Sequence, residues 1–366
     1  MSDATHSKIA SLTLLTVMCL CQIFADRVSA QETTDIGQLW QESAHANSDS
    51  EAFRHWDDEG EIPTRCATCH SMSGFQDYTG EDGTAVGTVE SAVKPGTNIG
   101  CTTCHHSALT TLDSIAFRSS ATVSDTGTST TCIVCHQGVL STVQVDEALH
   151  ELEDDVPSVT LSFLNIHYKA AAASLYGGET ASGYEYAGKQ YVGRFPHPEP
   201  LDTCSGCHDP HALEVRADQC TSCHQGTTSD TLSNIRMAST DVDGDGDVAE
   251  GVSGEISTLH ELLGGAIEQY AKNVAGQAVI YTGQTYPYFF NDIDSDGLAT
   301  AEESVYPNRY QSWTPRLLRA AYNYQFVAKD PGVYSHNPRY ALQLLVDSLE
   351  DLNRQIKLEL PSLQRP

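Results

Sequence analysis

Apolar positions along this 366-residue chain change their rhythm near residue 228. Beyond it the helical period dominates: Ile256, Leu259, Leu262, Leu263, Ala266, Ile267, Tyr270, Ala271 and Val274 fall on one face, which predicts an amphipathic helix. Trp313 to Val327 predicts a second helix, with Leu317, Leu318, Ala321, Tyr322 and Phe326 inward and Pro331-Gly332 as its stop. Asn337-Pro338 reads as a cap and first-turn proline for a third, Arg339 to Ile356, burying Leu342, Leu345, Val346, Leu349 and Leu352.

Before residue 228 periodicity is weak. Gly74 to Gly100 and Thr110 to Thr131 are rich in Gly, Ser and Thr and read as loops. Lys169 to Leu175 is Ala-rich and predicts a short helix whose small faces can press on a flat surface. The run Tyr184-Glu-Tyr186-Ala-Gly188-Lys-Gln-Tyr191-Val-Gly-Arg194-Phe195 alternates aromatic and polar residues about a glycine, which predicts a β-hairpin. Residues 1–30 have the pattern of a secretory signal: Lys8, a mostly apolar stretch from Ile9 to Phe24, then Val28-Ser29-Ala30 before Gln31. Export to the periplasm or beyond is therefore expected. No later run approaches the twenty or so apolar residues of a membrane span. The organisation expected is 1–30 signal, 31–228 irregular, 229–366 helical.

A segment so poor in periodic apolar faces needs another kind of core, and its cysteines indicate which. Cys-x-x-Cys-His occurs five times. The first motif is Cys66, Cys69 and His70; the second is Cys101, Cys104 and His105; the third is Cys132, Cys135 and His136. The fourth is Cys204, Cys207 and His208, and the fifth is Cys220, Cys223 and His224. That spacing is what covalent c-type haem attachment requires, two thiols for the two vinyl groups and the next residue for the iron. Zinc is the competitor, but its sites pair Cys-x-x-Cys half-sites, and an odd number of half-sites, each with an adjacent His, fits poorly. A thioredoxin-like pair occurs once, in a βαβ setting, and has no need of the His. The other two cysteines, Cys19 and Cys21, lie in the leader, so no thiol remains for a structural disulfide. Five haems between residues 66 and 224 leave about 32 residues each, too few for a conventional side-chain core. The expected fold is mainly α and irregular, a haem-dominated core with one small β-hairpin and a C-terminal helical region carrying calcium-like loops.

An iron closed by two histidines passes electrons, whereas an open sixth position permits chemistry. Outside the leader and the five motifs stand His45, His55, His106, His150, His167, His197, His211, His260 and His336, enough to close every haem. His106 follows His105, and adjacent residues in extended chain point opposite ways, so it can reach a second haem. His211 follows His208 in Cys-His-Asp-Pro-His, where Pro210 stiffens the turn and aims it away from its own haem. His45, His167 and His197 complete the expected distal set by position. His55 and His150 are reserves, His260 reads as an ordinary helix residue, and His336, before a helix start, could reach a haem.

Asp292, Asp294, Asp296, Gly297 and Glu303 occupy positions 1, 3, 5, 6 and 12 of an EF-hand-type calcium loop. Asp241, Asp243 and Asp245 begin a second one, but its position 12 is Val252 and the next acids are Glu250 and Glu255. The alternative for both is a solvated Asp/Gly turn. The net charge of −29, with 28 acidic against 8 basic residues over 31–228, argues against nucleic acid and favours a basic or cation-bridged partner.

These motifs resemble the multihaem c-type cytochromes of metal- and sulfur-respiring bacteria and archaea, including those that polymerise into extracellular filaments. The resemblance rests on the repeated Cys-x-x-Cys-His, Cys-His-His at 104–106 and Cys-His-Asp-Pro-His at 207–211, with Thr64 to Ser71, Asn165 to Gly178 and Trp313 to Asn337 also similar. It implies bis-histidine haems in stacked and perpendicular pairs, along which electrons hop. Pentahaem nitrite reductases, the enzyme relatives, usually carry lysine at their catalytic haem, whereas all five motifs here end in His. The reading is an exported electron carrier, not an enzyme, with five c-type haems and Ca2+. Its partners would be redox proteins, an extracellular acceptor or further copies of itself. The alternative is a multihaem reductase of a small nitrogen or sulfur oxyanion with one open haem. A third reading makes it chiefly an adhesion or assembly module.

Overall fold

A computed structural model describes residues 35–366, so the leader expected at 1–30 lies outside the described residues. Two compact units emerge: residues up to His106 with His208–Val215, and Ser107–Cys207 with Arg216–Pro366.

The first unit is built from short helices and loops. A helix over 35–42 precedes His45, and α1 (Thr64–His70) runs almost directly into α2 (Met72–Tyr78). Ser71 makes the corner, its amide bonding the Ala67 carbonyl and its hydroxyl accepting from the Gly74 amide. Gly74 is required there, because a Cβ would lie 2.4 Å from the Ala67 oxygen. A tight α1–α2 corner is the result. One buried side-chain cluster of this unit contains Ile62, Ala67 and Val89, and Phe53, Phe75 and Ile99 are buried as well.

The second unit has a conventional core. It contains the hairpin β1 (Ser114–Ala116) with β2 (Thr122–Ser124), then α3 (Thr130–His136), α4 (Ala171–Tyr176) and α5 (Val252–Tyr270). The hairpin β3 (Val279–Tyr281) with β4 (Phe289–Asn291) precedes α6 (Pro315–Ala328) and α7 (Pro338–Ile356). The apolar faces of α5, α6 and α7 meet through Leu259, Leu263, Leu317, Leu318, Leu345 and Leu349, and Val145, Ile166 and Tyr184 join them, so this core draws on both sides of residue 228. Thr314 caps α6 by accepting from the Leu317 amide, and Asn337 caps α7 by accepting from Tyr340. Burial of Arg316 is compensated by Asp155 at 2.7 Å and by Asp351.

Among the described residues the structure is helix-rich and irregular with two antiparallel hairpins, neither at the predicted place. Over 184–195 no strands form. The amides that a partner strand would have taken go to side chains: Gly183 to the Tyr340 hydroxyl at 3.0 Å, Tyr184 to Asn323 Oδ1 at 2.7 Å and Val192 to Gln343 Oε1 at 3.0 Å. Polar residues on the inner faces of α6 and α7 replace the ladder. Conversely, part of Thr110 to Thr131, read as loop, pairs Ile115 with Val123, whose inward side chains are the apolar anchors of the β1–β2 hairpin.

Candidate functional site

All five motifs lie on helical turns. Cys66, Cys69 and His70 belong to α1, and Cys132, Cys135 and His136 to α3. Cys101 and Cys104 bound a single turn with His105 as its C-cap, and Cys204 and Cys207 bound another that leads into His208. Cys220 ends the turn Ala217–Cys220; Cys223 and His224 follow it, with the amides of both directed to the Cys220 carbonyl, at 3.2 and 2.8 Å. Residues three and four apart share a helix face, so two thiols and an imidazole project together.

Among the described residues the ten cysteines form no disulfide and none is fully buried. The second thiol of each motif differs in setting: Cys69, Cys135 and Cys207 are half-buried, whereas Cys104 and Cys223 are exposed. Burial raises the thiols of Cys66, Cys207 and Cys220 above the ordinary value. A donor set of two accessible thiols and one imidazole fits a doubly tethered haem with one axial nitrogen.

An imidazole that ligates metal through one nitrogen generally donates the other N–H to a carbonyl or carboxylate, which fixes tautomer and orientation. His70 places Nδ1 2.7 Å from the Ala52 carbonyl oxygen, and His136 places Nδ1 2.7 Å from that of Lys169. His336 places Nδ1 2.8 Å from the carboxylate of buried Asp330. In all three the anchored nitrogen is Nδ1, so Nε2 is the nitrogen that would meet a metal. Burial holds His70 and His136 below the usual imidazole value, while Asp330 overcomes burial and holds His336 above it.

His105 and His211 lie with rings 13° from parallel and centroids 6.2 Å apart. Two imidazoles on opposite sides of one metal, each bonded at about 2 Å, have centroids about 6 Å apart. Asp209 sets the aim of His211, its Oδ1 accepting the amides of His211 and Ala212 at 2.9 Å each. His197 packs its ring edge against Phe195, and burial followed by the nearby His224 depresses its protonation. Near His336 stand both His136 and Cys204, and Cys204 hydrogen-bonds Cys132, which lowers its thiol to about 6. The third and fourth motifs and His336 therefore share one neighbourhood.

The other predicted ligands are less defined by geometry. His106 has Nδ1 3.2 Å from Glu81 and Nε2 3.4 Å from the Thr79 hydroxyl. His45 follows the helix over 35–42 and accepts the Ile99 amide on its carbonyl. His167 has positive φ, with its amide bonded to Asn165. His55 pairs with Glu51 at the surface and His150 is exposed. His260 bonds the Tyr324 carbonyl at 2.9 Å and stacks on its ring, as expected of a helix residue. Asp330, which orients His336, carries no motif by which sequence could single it out.

Both acidic loops fold tightly. Carboxylate oxygens of Asp292, Asp294 and Glu303 lie within 4.8 Å of one another, with Asp296 bonding the Leu298 amide further round. Upstream, Asp241, Asp243 and Glu255 form one such group and Asp243, Asp245 and Glu250 another. A further cluster, Asp77, Asp82 and Glu90, matches no loop motif. Among the described residues no helix is long and apolar enough to cross a membrane.

Five Cys-x-x-Cys-His triads on helical turns, with further imidazoles nearby, are the donor set that a c-type cytochrome with several haems requires. Similarity agrees. No protein-family model and no solved structure matches the chain. Two curated proteins of Geobacter sulfurreducens do: the C-type polyheme cytochrome OmcC, 25% identical over 241 residues, and the C-type polyheme cytochrome OmcB, 28% identical over 219. The alignments cover 55% and 52% of this chain but only 28% and 27% of those proteins, so the chain spans little more than a quarter of the length of the relatives it matches. This similarity supports a place for the chain among the multihaem c-type cytochromes.

Proposed function

We propose that this protein is an exported electron carrier with five covalently bound haems, each iron closed by two histidines. When bound, haem supplies one-electron chemistry; the chain's own residues hold it, orient its axial nitrogens and exclude a substrate from the iron. The observation that carries the reading is the His105–His211 pair, whose separation and near-parallel planes suit two ligands of one iron. His224 with His197 and His136 with His336 are the next two pairs, supported by their proximity. His45 and His106 are the proposed source of ligands opposite His70 and His208.

Since His336 is fixed by Asp330 and His167 lies two residues before the carbonyl that anchors His136, these two compete for the position opposite His136. Calcium-class ions at the Asp292 and Asp241 loops would serve structure. Redox proteins, an extracellular acceptor or further copies of the chain are the partners this reading implies, with no enzymatic turnover of its own.

Haem content and single-ligand variants test it. Haem quantification should give five per chain, and His211→Ala should convert one haem from low to high spin while the rest stay low-spin. Fewer haems, or an unchanged spectrum in His211→Ala, would remove the pair on which the proposal stands.

A further inference from the structure

The upstream acidic loop lacks a glutamate at position 12, where Val252 stands. A comparison of the two loops shows what replaces it. Asp241 accepts the amides of Gly244 at 2.7 Å and Gly246 at 3.0 Å, just as Asp292 accepts those of Ser295 at 2.7 Å and Gly297 at 3.2 Å. Glu303 then folds back to accept the Ile293 amide at 2.9 Å. In the upstream loop the equivalent amide, that of Val242, is accepted at 2.7 Å by Glu255, which also takes the Asp243 amide at 2.9 Å. Glu255 lies in the first turn of α5, so the helix, rather than the loop, returns the carboxylate.

A second observation is independent of this pattern. Asp243 is 0% exposed, and its Oδ2 has no hydrogen-bond partner by geometry, with the Thr258 side chain beside the carboxylate. Oxygens of Asp241, Asp243 and Glu255 nevertheless converge to within 4.8 Å of each other. A fully buried carboxylate oxygen without a donor is unfavourable unless a cation meets it. Arg236 meets Glu255 at 2.5 Å, on the oxygen that the backbone amides do not use, and offsets one charge. Asp241, Asp243, Asp245 and Glu250 are left to an ion.

We propose that Glu255 closes the upstream loop around a divalent cation of the calcium class, held by Asp241, Asp243 and Asp245, with Glu250 as the adjoining carboxylate. The oxygen-only donor set selects a hard cation. This inference rests on the reading of the acidic loops as cation sites, and the Asp292 loop serves as its internal control.

The test is calorimetric titration of Ca2+ alone into the full holoprotein after chelator treatment. Two sites are expected from the two loops. Glu255→Gln, which keeps an oxygen for the two amides, should weaken one site at least about tenfold and spare the other; Asp243→Asn should do the same, and Glu303→Gln should weaken the other site instead. If wild type binds a single ion that Glu303→Gln removes, the proposal falls while the Asp292 site stands. If wild type binds none, both readings fall. Two ions with unchanged affinities in Glu255→Gln and Asp243→Asn would equally overturn it.

Discussion

An imidazole holds iron through one nitrogen, so the group that takes the other governs how strongly it donates. Asp330 takes Nδ1 of His336, whereas backbone carbonyls take that of His70 and His136. A carboxylate acceptor makes the ligand more electron-donating and favours ferric iron. Asp330→Asn should therefore raise the reduction potential of one haem in a potentiometric titration and leave the others unmoved; a uniform shift or none would speak against His336 as a ligand. The proximal residues are expected from five repeated spacings, but which distal histidine would meet which iron depends on long-range folding, and Asp330, the acceptor beside His336, carries no motif. A different residue controls a pH dependence. Burial, partly offset by a hydrogen bond from Tyr340, raises the Glu185 carboxyl from 4.5 to about 7. The folded state then binds a proton that the unfolded state has lost, so this residue's contribution to stability falls as pH rises from about 4.5 to about 7. Denaturation midpoints across that window should show the slope, and Glu185→Gln should lessen it.

Among elements, α5, α6 and α7 were readable because each carries an unbroken apolar stripe with a cap or stop at its end, and Asn337-Pro338 starts α7 as its chemistry dictates. The hairpins were not. An alternating aromatic pattern at 184–195 meant burial against helices rather than pairing, because Asn323, Gln343 and Tyr340 satisfied the backbone from outside the segment. A loop template counts residues and puts Val252 at position 12, so Glu255, one of the next acids along the chain, reaches the upstream loop only because α5 carries it there. Leu349, 0% exposed on α7, should cost about 2–5 kcal/mol when truncated to Ala. Thr314→Ala, which removes the α6 cap, should cost about 1 kcal/mol. Denaturant titrations followed by far-ultraviolet circular dichroism check both, and Thr314→Ala losing nothing would mean that its hydroxyl does not hold the α6 start.

For the molecule as a whole, charge and the unequal cores are the governing facts. The second unit has a large helical core of its own, while in the first Ile62, Ala67 and Val89 cluster against Cys66, with Phe53, Phe75 and Ile99 also buried. A net charge of −29 creates a long-range field that attracts basic partners and weakens with salt. Electron exchange with a cationic redox protein should therefore slow as ionic strength rises through the range where the Debye length falls to about 8 Å, in stopped-flow measurements; salt-independent rates would exclude steering by this field. The central claim remains that every iron is closed by two histidines. Electron paramagnetic resonance of the fully oxidised holoprotein, with spins integrated against iron, tests it most directly: only low-spin signals, at five irons per chain, are predicted. A high-spin signal integrating to about one haem would contradict the account and mark an open iron where substrate could bind.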